Sequence, residues 1–427
     1  MAMIEGQLCD TSNLSFPMIR LERRRALDVF IDFMLKNQPC RIYTKATAKW
    51  KSRRQWVKHV NGKSAINVEF FIKKYGHMEV PLVKERIDKI MENREKCMDY
   101  EEKSSSSCSL NFMKCQKMKL KDYIEIMRKN NGSNNIGYVK DWHFQQESGT
   151  SYEMYGLPSV LRFDWINNEL WSNDERNQLG DYRFVYFGAK NTWTPFHADV
   201  MSSYSWSANI CGRKLWYFVP PNREECFRID RDTFLEDIRT VQDKWPKATV
   251  ISFIQEEGEI VFVPSNWYHQ VHNLEDTVSI NHNFVNASNV DLIVELIIKR
   301  LMDIDRELAD CRSCFSSEEY NSYCEKILAA DIRVNLAQLS SLLQLIIKDR
   351  GNEVNECWVC PRHRSFPECK KDGNCLEFMR TAIRTSCSCQ MESSEICNNC
   401  LNFMKQYEIS IAAECLARIH YIEKERN

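Results

Sequence analysis

The sequence predicts an α+β fold in which an antiparallel sandwich or jelly roll carries helical segments at both ends. Two observations predict it. From Leu161 to Val285 short apolar runs alternate with turn residues, and this stretch holds seven of the chain's eleven tryptophans. Its strand candidates are Arg183 to Phe187, Ser205 to Ile210, Lys214 to Val219, Ile260 to Val263 and Val278 to Phe284. Facing strands of this kind can build an interior site. On either side of that stretch, apolar residues recur instead at helical spacing.

Residues 1–83 read as the helical and strand entry to the fold. Leu27, Phe30, Ile31 and Met34 form a helical stripe, Gln38-Pro39 breaks it, and Cys40 to Tyr43 reads as a strand. Trp50 and Trp56 precede a second amphipathic stretch around Phe70, Phe71 and Tyr75. The local basic bias of Arg23, Arg24, Arg25, Lys49, Lys51, Arg53 and Arg54 is the kind that a solvated helix face explains more often than a nucleic-acid patch. Residues 84–118 read as a flexible insertion: charge-rich, with a serine run at 104–107 and few large apolar residues, so little core can be buried. Regular folding resumes near Asn135 on this reading, inside a jelly-roll unit spanning 119–288. A helical extension covers 289–350, with one stripe through Leu292, Ile293, Leu296, Ile297 and Leu301 and another through Leu339, Leu342, Leu343 and Ile346. A cysteine-rich helical tail covers 351–427.

The chemistry concentrates in Thr-Pro-Phe-His-Ala-Asp, Thr194 to Asp199, and in Pro-Ser-Asn-Trp-Tyr-His, Pro264 to His269. Residues i and i+2 of a strand share a face, so His197 and Asp199 can reach one metal while Ala198 points away. His269, from a second strand after the buried run Ile260 to Pro264, supplies the third ligand. Two imidazoles and one carboxylate are the facial set of non-haem Fe(II) oxygenases, which leaves metal positions open. A His-x-Asp alone is common; His197 packing on an aromatic core, with Asp199 capping a turn, is the competing reading. Lys214 tips the balance. It opens the strand Lys214 to Val219, and a lysine aimed into a barrel requires an anion, the competing reading being that it snorkels to the surface. The distal carboxylate of 2-oxoglutarate is such an anion, with Thr194 donating beside it.

These elements, with Gly-Arg-Lys-Leu-Trp at Gly212 to Trp216 and Asn-His-Asn-Phe at Asn281 to Phe284, resemble the JmjC (jumonji C) oxygenase family in its order. Tyr138 to Phe144, Tyr-Val-Lys-Asp-Trp-His-Phe, resembles the jumonji-domain-containing protein four subgroup, lysyl hydroxylases of the eukaryotic translation release factor. The resemblance covers about residues 20–83 and 119–300 and implies a double-stranded β-helix, or cupin-type, barrel. It implies His197, Asp199 and His269 as iron ligands, Lys214 and Thr194 as 2-oxoglutarate contacts, and Asn283 and Tyr186 as further cosubstrate or pocket residues. Fe(II), 2-oxoglutarate and O2 are the implied cofactors, and a protein substrate, the release factor, the implied partner. Helical tails in such hydroxylases pack on the barrel or pair two protomers, which leaves a homodimer open. Histone lysine demethylation and a non-catalytic JmjC scaffold are the alternatives.

Composition restricts the remaining classes. The 427 residues carry 58 basic against 59 acidic groups, so no global field favours nucleic acid or membrane. No apolar stretch approaches a membrane span, and the expected location is cytoplasmic or nuclear. In a reducing compartment the nineteen cysteines are free thiols or metal ligands. Eight fall within 44 residues of the tail, including Cys357-x-x-Cys360 and Cys397-x-x-Cys400. Those four are candidate ligands for structural Zn(II). Their spacing fits no standard module, and a merely cysteine-rich tail is the competing reading.

Overall fold

The computed structural model describes residues 16–21, 26–83, 115–129, 136–149, 154–174, 179–230, 233–246, 249–350 and 398–426. Before the barrel come β1 (Met18–Ile19), β2 (Cys40–Ile42), β3 (Val57–Val60), β4 (Lys63–Ile66), β5 (Glu79–Val83), β6 (Cys115–Lys119) and β7 (Tyr138–Trp142). The barrel strands are β8 (Arg183–Gly188), β9 (Trp193–His197), β10 (Tyr204–Cys211), β11 (Lys214–Val219), β12 (Ile251–Gln255), β13 (Ile260–Val263), β14 (Tyr268–Asn273) and β15 (Thr277–Phe284). One sheet runs β1-β2-β13-β10-β15-β8-β7-β5-β6 and a second runs β12-β11-β14-β9, while β3 and β4 pair separately. Every strand candidate read from the sequence is present to within a residue at each end, Cys40 to Tyr43 being one residue shorter.

The buried run Ile-Val-Phe-Val of β13 shows why the two sheets close on each other. Alternation sends Val261 and Val263 between the sheets, where they meet Trp216, Phe218, Trp267 and Val271. Ile260 and Phe262 point the other way, into the main core. Both faces are covered, so the strand is apolar throughout. The chain crosses from one sheet to the other at Gly212, between β10 and β11. There φ is +82° and a Cβ would stand 2.3 Å from the Asp276 carbonyl oxygen, so only glycine fits.

The N-terminal helical stripe is present: Phe30, Ile31 and Met34 are buried. Helix Val290–Glu307 buries Val290, Ile293, Val294, Ile297, Leu301 and Ile304, a face rotated from the expected one so that Leu292 and Leu296 lie at its margin. Helix Leu336–Arg350 buries Leu339, Leu342, Leu343 and Ile346, as its spacing predicts. Helix Asn398–Arg426 docks against the barrel: the Tyr407 hydroxyl donates to Ala287 O at 3.0 Å. Buried Glu408 accepts from Trp165 Nε1 at 2.6 Å and from Arg350 Nε at 2.8 Å.

The expected insertion ends earlier than Met118. Cys115 to Lys119 form β6 and pair with β5 in antiparallel register. A strand with two lysines in five residues reads as a charged loop, yet it suits a sheet edge, where charge discourages further pairing. Cys357, Cys360 and Cys397 lie outside the described residues, and Cys400 is placed on helix Asn398–Arg426.

Candidate active site

A cleft between the two sheets receives all seven residues singled out in the sequence. The four-stranded sheet supplies Thr194, His197, Lys214 and His269; Asp199 follows β9; the large sheet supplies Tyr186 and Asn283. The empty space, counted out to the open mouth, is about 470 Å³.

His197 and His269 are direct cross-strand partners between β9 and β14, and their ring centroids lie 4.3 Å apart. Strand β9 ends at His197, but the backbone stays extended through Asp199, at φ −67° and ψ 148°, so the i, i+2 geometry survives. One ligand atom from each of His197, Asp199 and His269 lies within 4.8 Å of the others. Asp199 stands at the start of the turn Val200–Ser202 without capping it through its side chain. Its Oδ2 instead accepts from the Ser205 hydroxyl at 2.6 Å.

The imidazoles are oriented for a metal. His197 Nδ1 lies 2.7 Å from Pro195 O, and His269 Nδ1 lies 3.1 Å from Trp267 O. A carbonyl can only accept, so Nδ1 of each ring carries the hydrogen, and Nε2 is the nitrogen left to face a metal. Burial and the neighbouring His269 push the His197 pKa down to about 3, which keeps that ring neutral as ligation requires.

Lys214 does not reach solvent. Its side chain is buried, and Nζ donates to the Ser279 hydroxyl at 2.8 Å and to the Tyr138 hydroxyl at 3.3 Å. Burial, helped by the charge of Lys140, pushes its pKa down to about 7. An ammonium whose hydrogen-bond partners among the described residues are hydroxyls suits a carboxylate guest, and buried Thr194 lines the same cleft. Asn283 donates to the Ser203 hydroxyl at 3.0 Å, and the Tyr186 hydroxyl donates to Asp141 at 2.8 Å.

His272 and His282 take no part in the cleft. His272 faces away, stacked on Trp193 and hydrogen-bonded to Gln270. His282 is buried against Trp206 and 2.7 Å from the Tyr155 hydroxyl. Sequence reasoning assigned no role to Tyr138, Ser205, Ser279 or Asn281. Alternation along β15 back from Asn283 gives Asn281 and Ser279, a signal that was available.

This geometry agrees with what the chain resembles. The model of the JmjC domain, hydroxylase, matches residues 184–284. The 2-oxoglutarate and iron-dependent oxygenase JMJD4 of Danio rerio is 34% identical over 339 residues, which cover 76% of this chain and 73% of that protein. The chain belongs to the JmjC oxygenase family. The JMJD4 protein of Mus musculus is 34% identical over 328 residues, 74% of this chain and 71% of that protein. The arginine-specific demethylase JMJ20 of Arabidopsis thaliana is 34% identical over 326 residues, 71% of this chain and 64% of that protein. The matched JmjC segment contains every sequence-assigned cleft residue, whereas Tyr138 enters from β7 outside it. Among the described residues no helix is long and apolar enough to cross a membrane.

Proposed function

We propose that this JmjC oxygenase is a protein lysyl hydroxylase acting on the translation termination release factor. The observation that carries the enzymatic part is one cleft holding a His-Asp-His cluster and, apart from it, a buried lysine whose hydrogen-bond partners are hydroxyls. The donor set fits Fe(II): two imidazole nitrogens and one carboxylate oxygen on one side, with room left for a cosubstrate. His197, Asp199 and His269 would hold the metal. Lys214, Ser279, Tyr138 and Thr194 would hold the far carboxylate of 2-oxoglutarate, and Tyr186 and Asn283 would shape the adjoining wall. When bound, iron and 2-oxoglutarate supply the oxidising power that puts one atom of O2 into a C–H bond and leaves succinate and carbon dioxide. The protein orients the metal ligands through Pro195, Trp267 and Ser205, and fixes the cosubstrate through Lys214.

The lysine and the release factor come from the subgroup resemblance of Tyr138 to Phe144 and of the cleft segments. Similarity to a protein named as an arginine-specific demethylase keeps demethylation as a second reading. Intact-mass analysis of release factor incubated with the protein, Fe(II), 2-oxoglutarate and O2 separates them. Hydroxylation adds one oxygen, which the Asp199→Ala protein should not do. Loss of a methylene equivalent from a methylated substrate supports demethylation, and an unchanged mass removes the release factor. A structural zinc on Cys357, Cys360, Cys397 and Cys400 belongs to the same proposal. Zinc content of the Cys357→Ser/Cys360→Ser protein equal to wild type would exclude it.

A further inference from the structure

Strand β7 places two charges beside the cleft, Lys140 by alternation and Asp141 by an irregularity. Alternation from Tyr138, whose hydroxyl lies in the cleft, puts Lys140 on the same face and would send Asp141 toward the core. The β7–β8 register instead shifts between Val139 and Trp142, and Asp141 adopts φ +55°. Bulges beside sites commonly re-aim side chains in this way. Trp142 thereby returns to the core, fully buried, and Asp141 is free to accept the Tyr186 hydroxyl. Lys140 stays on the cleft side with its ammonium 5.7 Å from the centre of the Tyr186 ring.

Lys140 is half-buried, and its close partner among the described residues is that ring rather than a carboxylate. Burial holds its pKa below the ordinary lysine value, while the charges of Asp141 and Asp199 act the other way. The Tyr186 ring beside it lines the cleft, and the Lys140 charge acts on Lys214 there. A partly desolvated ammonium against a ring that lines the cleft calls for an anion. A dicarboxylate 2-oxo acid brings two. Its far carboxylate already has Lys214, Ser279, Tyr138 and Thr194 to meet; the other would lie on the side of Asp199.

We propose that Lys140 is a second cationic contact for 2-oxoglutarate, pairing with the carboxylate of its 2-oxo acid end. The inference rests on reading the cleft as the 2-oxoglutarate site. Equilibrium binding to the full chain, loaded with Fe(II) in the absence of oxygen, tests it. Wild type, Lys140→Met, Lys140→Arg and Lys214→Met are each titrated with 2-oxoglutarate and with 2-oxopentanoate, which lacks the far carboxylate. Lys140→Met should weaken both acids by a similar factor of roughly tenfold, the scale of one charge-assisted hydrogen bond. Lys140→Arg should stay within about threefold of wild type, since it keeps the charge. Lys214→Met should weaken the dicarboxylate alone. Should Lys140→Met not fold, Lys140→Gln carries the same expectation. Wild-type affinity for both acids in the uncharged variant overturns the proposal, as does a penalty confined to 2-oxoglutarate. A loss of affinity only for a protein substrate also overturns it, and moves Lys140 to substrate recognition. Wild-type protein that binds neither acid is a different failure, of the cleft assignment itself, and the proposal falls with it.

Discussion

The Ser205 hydroxyl donates to Oδ2 of Asp199 at 2.6 Å, from the strand that follows the Asp199 turn. One carboxylate oxygen is thereby engaged, and the other is left for a cation between His197 and His269. Partners that orient ligating groups typically contribute about 10- to 100-fold to metal affinity. Ser205→Ala should therefore weaken Fe(II) binding by about that factor while the apo protein keeps its thermal midpoint. Metal titration checks this, and unchanged affinity would reduce the bond to local packing.

Cosubstrate binding should depend on pH through Lys214. Its ammonium is pushed down to about 7 in the free cleft, and only the protonated form attracts a carboxylate. A bound carboxylate raises that pKa, so binding above neutrality takes up a proton. The 2-oxoglutarate dissociation constant should be flat below pH about 7 and rise by up to about tenfold per unit above it. Lys214→Met should bind weakly, without that rise. Titrations between pH 6 and pH 9, roughly the range set by these shifts, decide it.

Glu408 ties the last helix to Trp165 and to Arg350, the end of helix Leu336–Arg350. Replacing it by alanine leaves the Trp165 N–H without its acceptor and the partly buried Arg350 guanidinium with Asp349 alone. The expected loss is about 3 kcal/mol of stability, and it should appear in denaturant unfolding. Fe(II) affinity should not change, because no cleft residue contacts Glu408. A joint loss of both would mean the C-terminal helix shapes the cleft.

The candidate metal-binding part of this cleft was legible because it obeys local rules. His197 and Asp199 follow from two-residue alternation, and His269 from the run that follows the buried strand Ile260 to Pro264. Lys214 was legible because Gly212 and the apolar run after it fix a strand start. The cradle around its ammonium was not. Tyr138 and Ser279 approach Lys214 from the opposite sheet, 76 and 65 residues away in sequence, and only the closure of the sandwich brings them there. The bulge at Asp141 was also hidden, since nothing in Val-Lys-Asp-Trp marks a non-glycine residue for positive φ. Strand β6 escaped because its polar sequence suits an edge, where one side of the ladder stays open.

Succinate formation from 2-oxoglutarate, with added Fe(II) and O2, tests the central claim most directly in wild type and in His197→Ala. Turnover should require Fe(II) in wild type and fall to background in the variant, while far-ultraviolet circular dichroism of the two proteins coincides. Turnover in His197→Ala equal to wild type would contradict it and place the metal elsewhere.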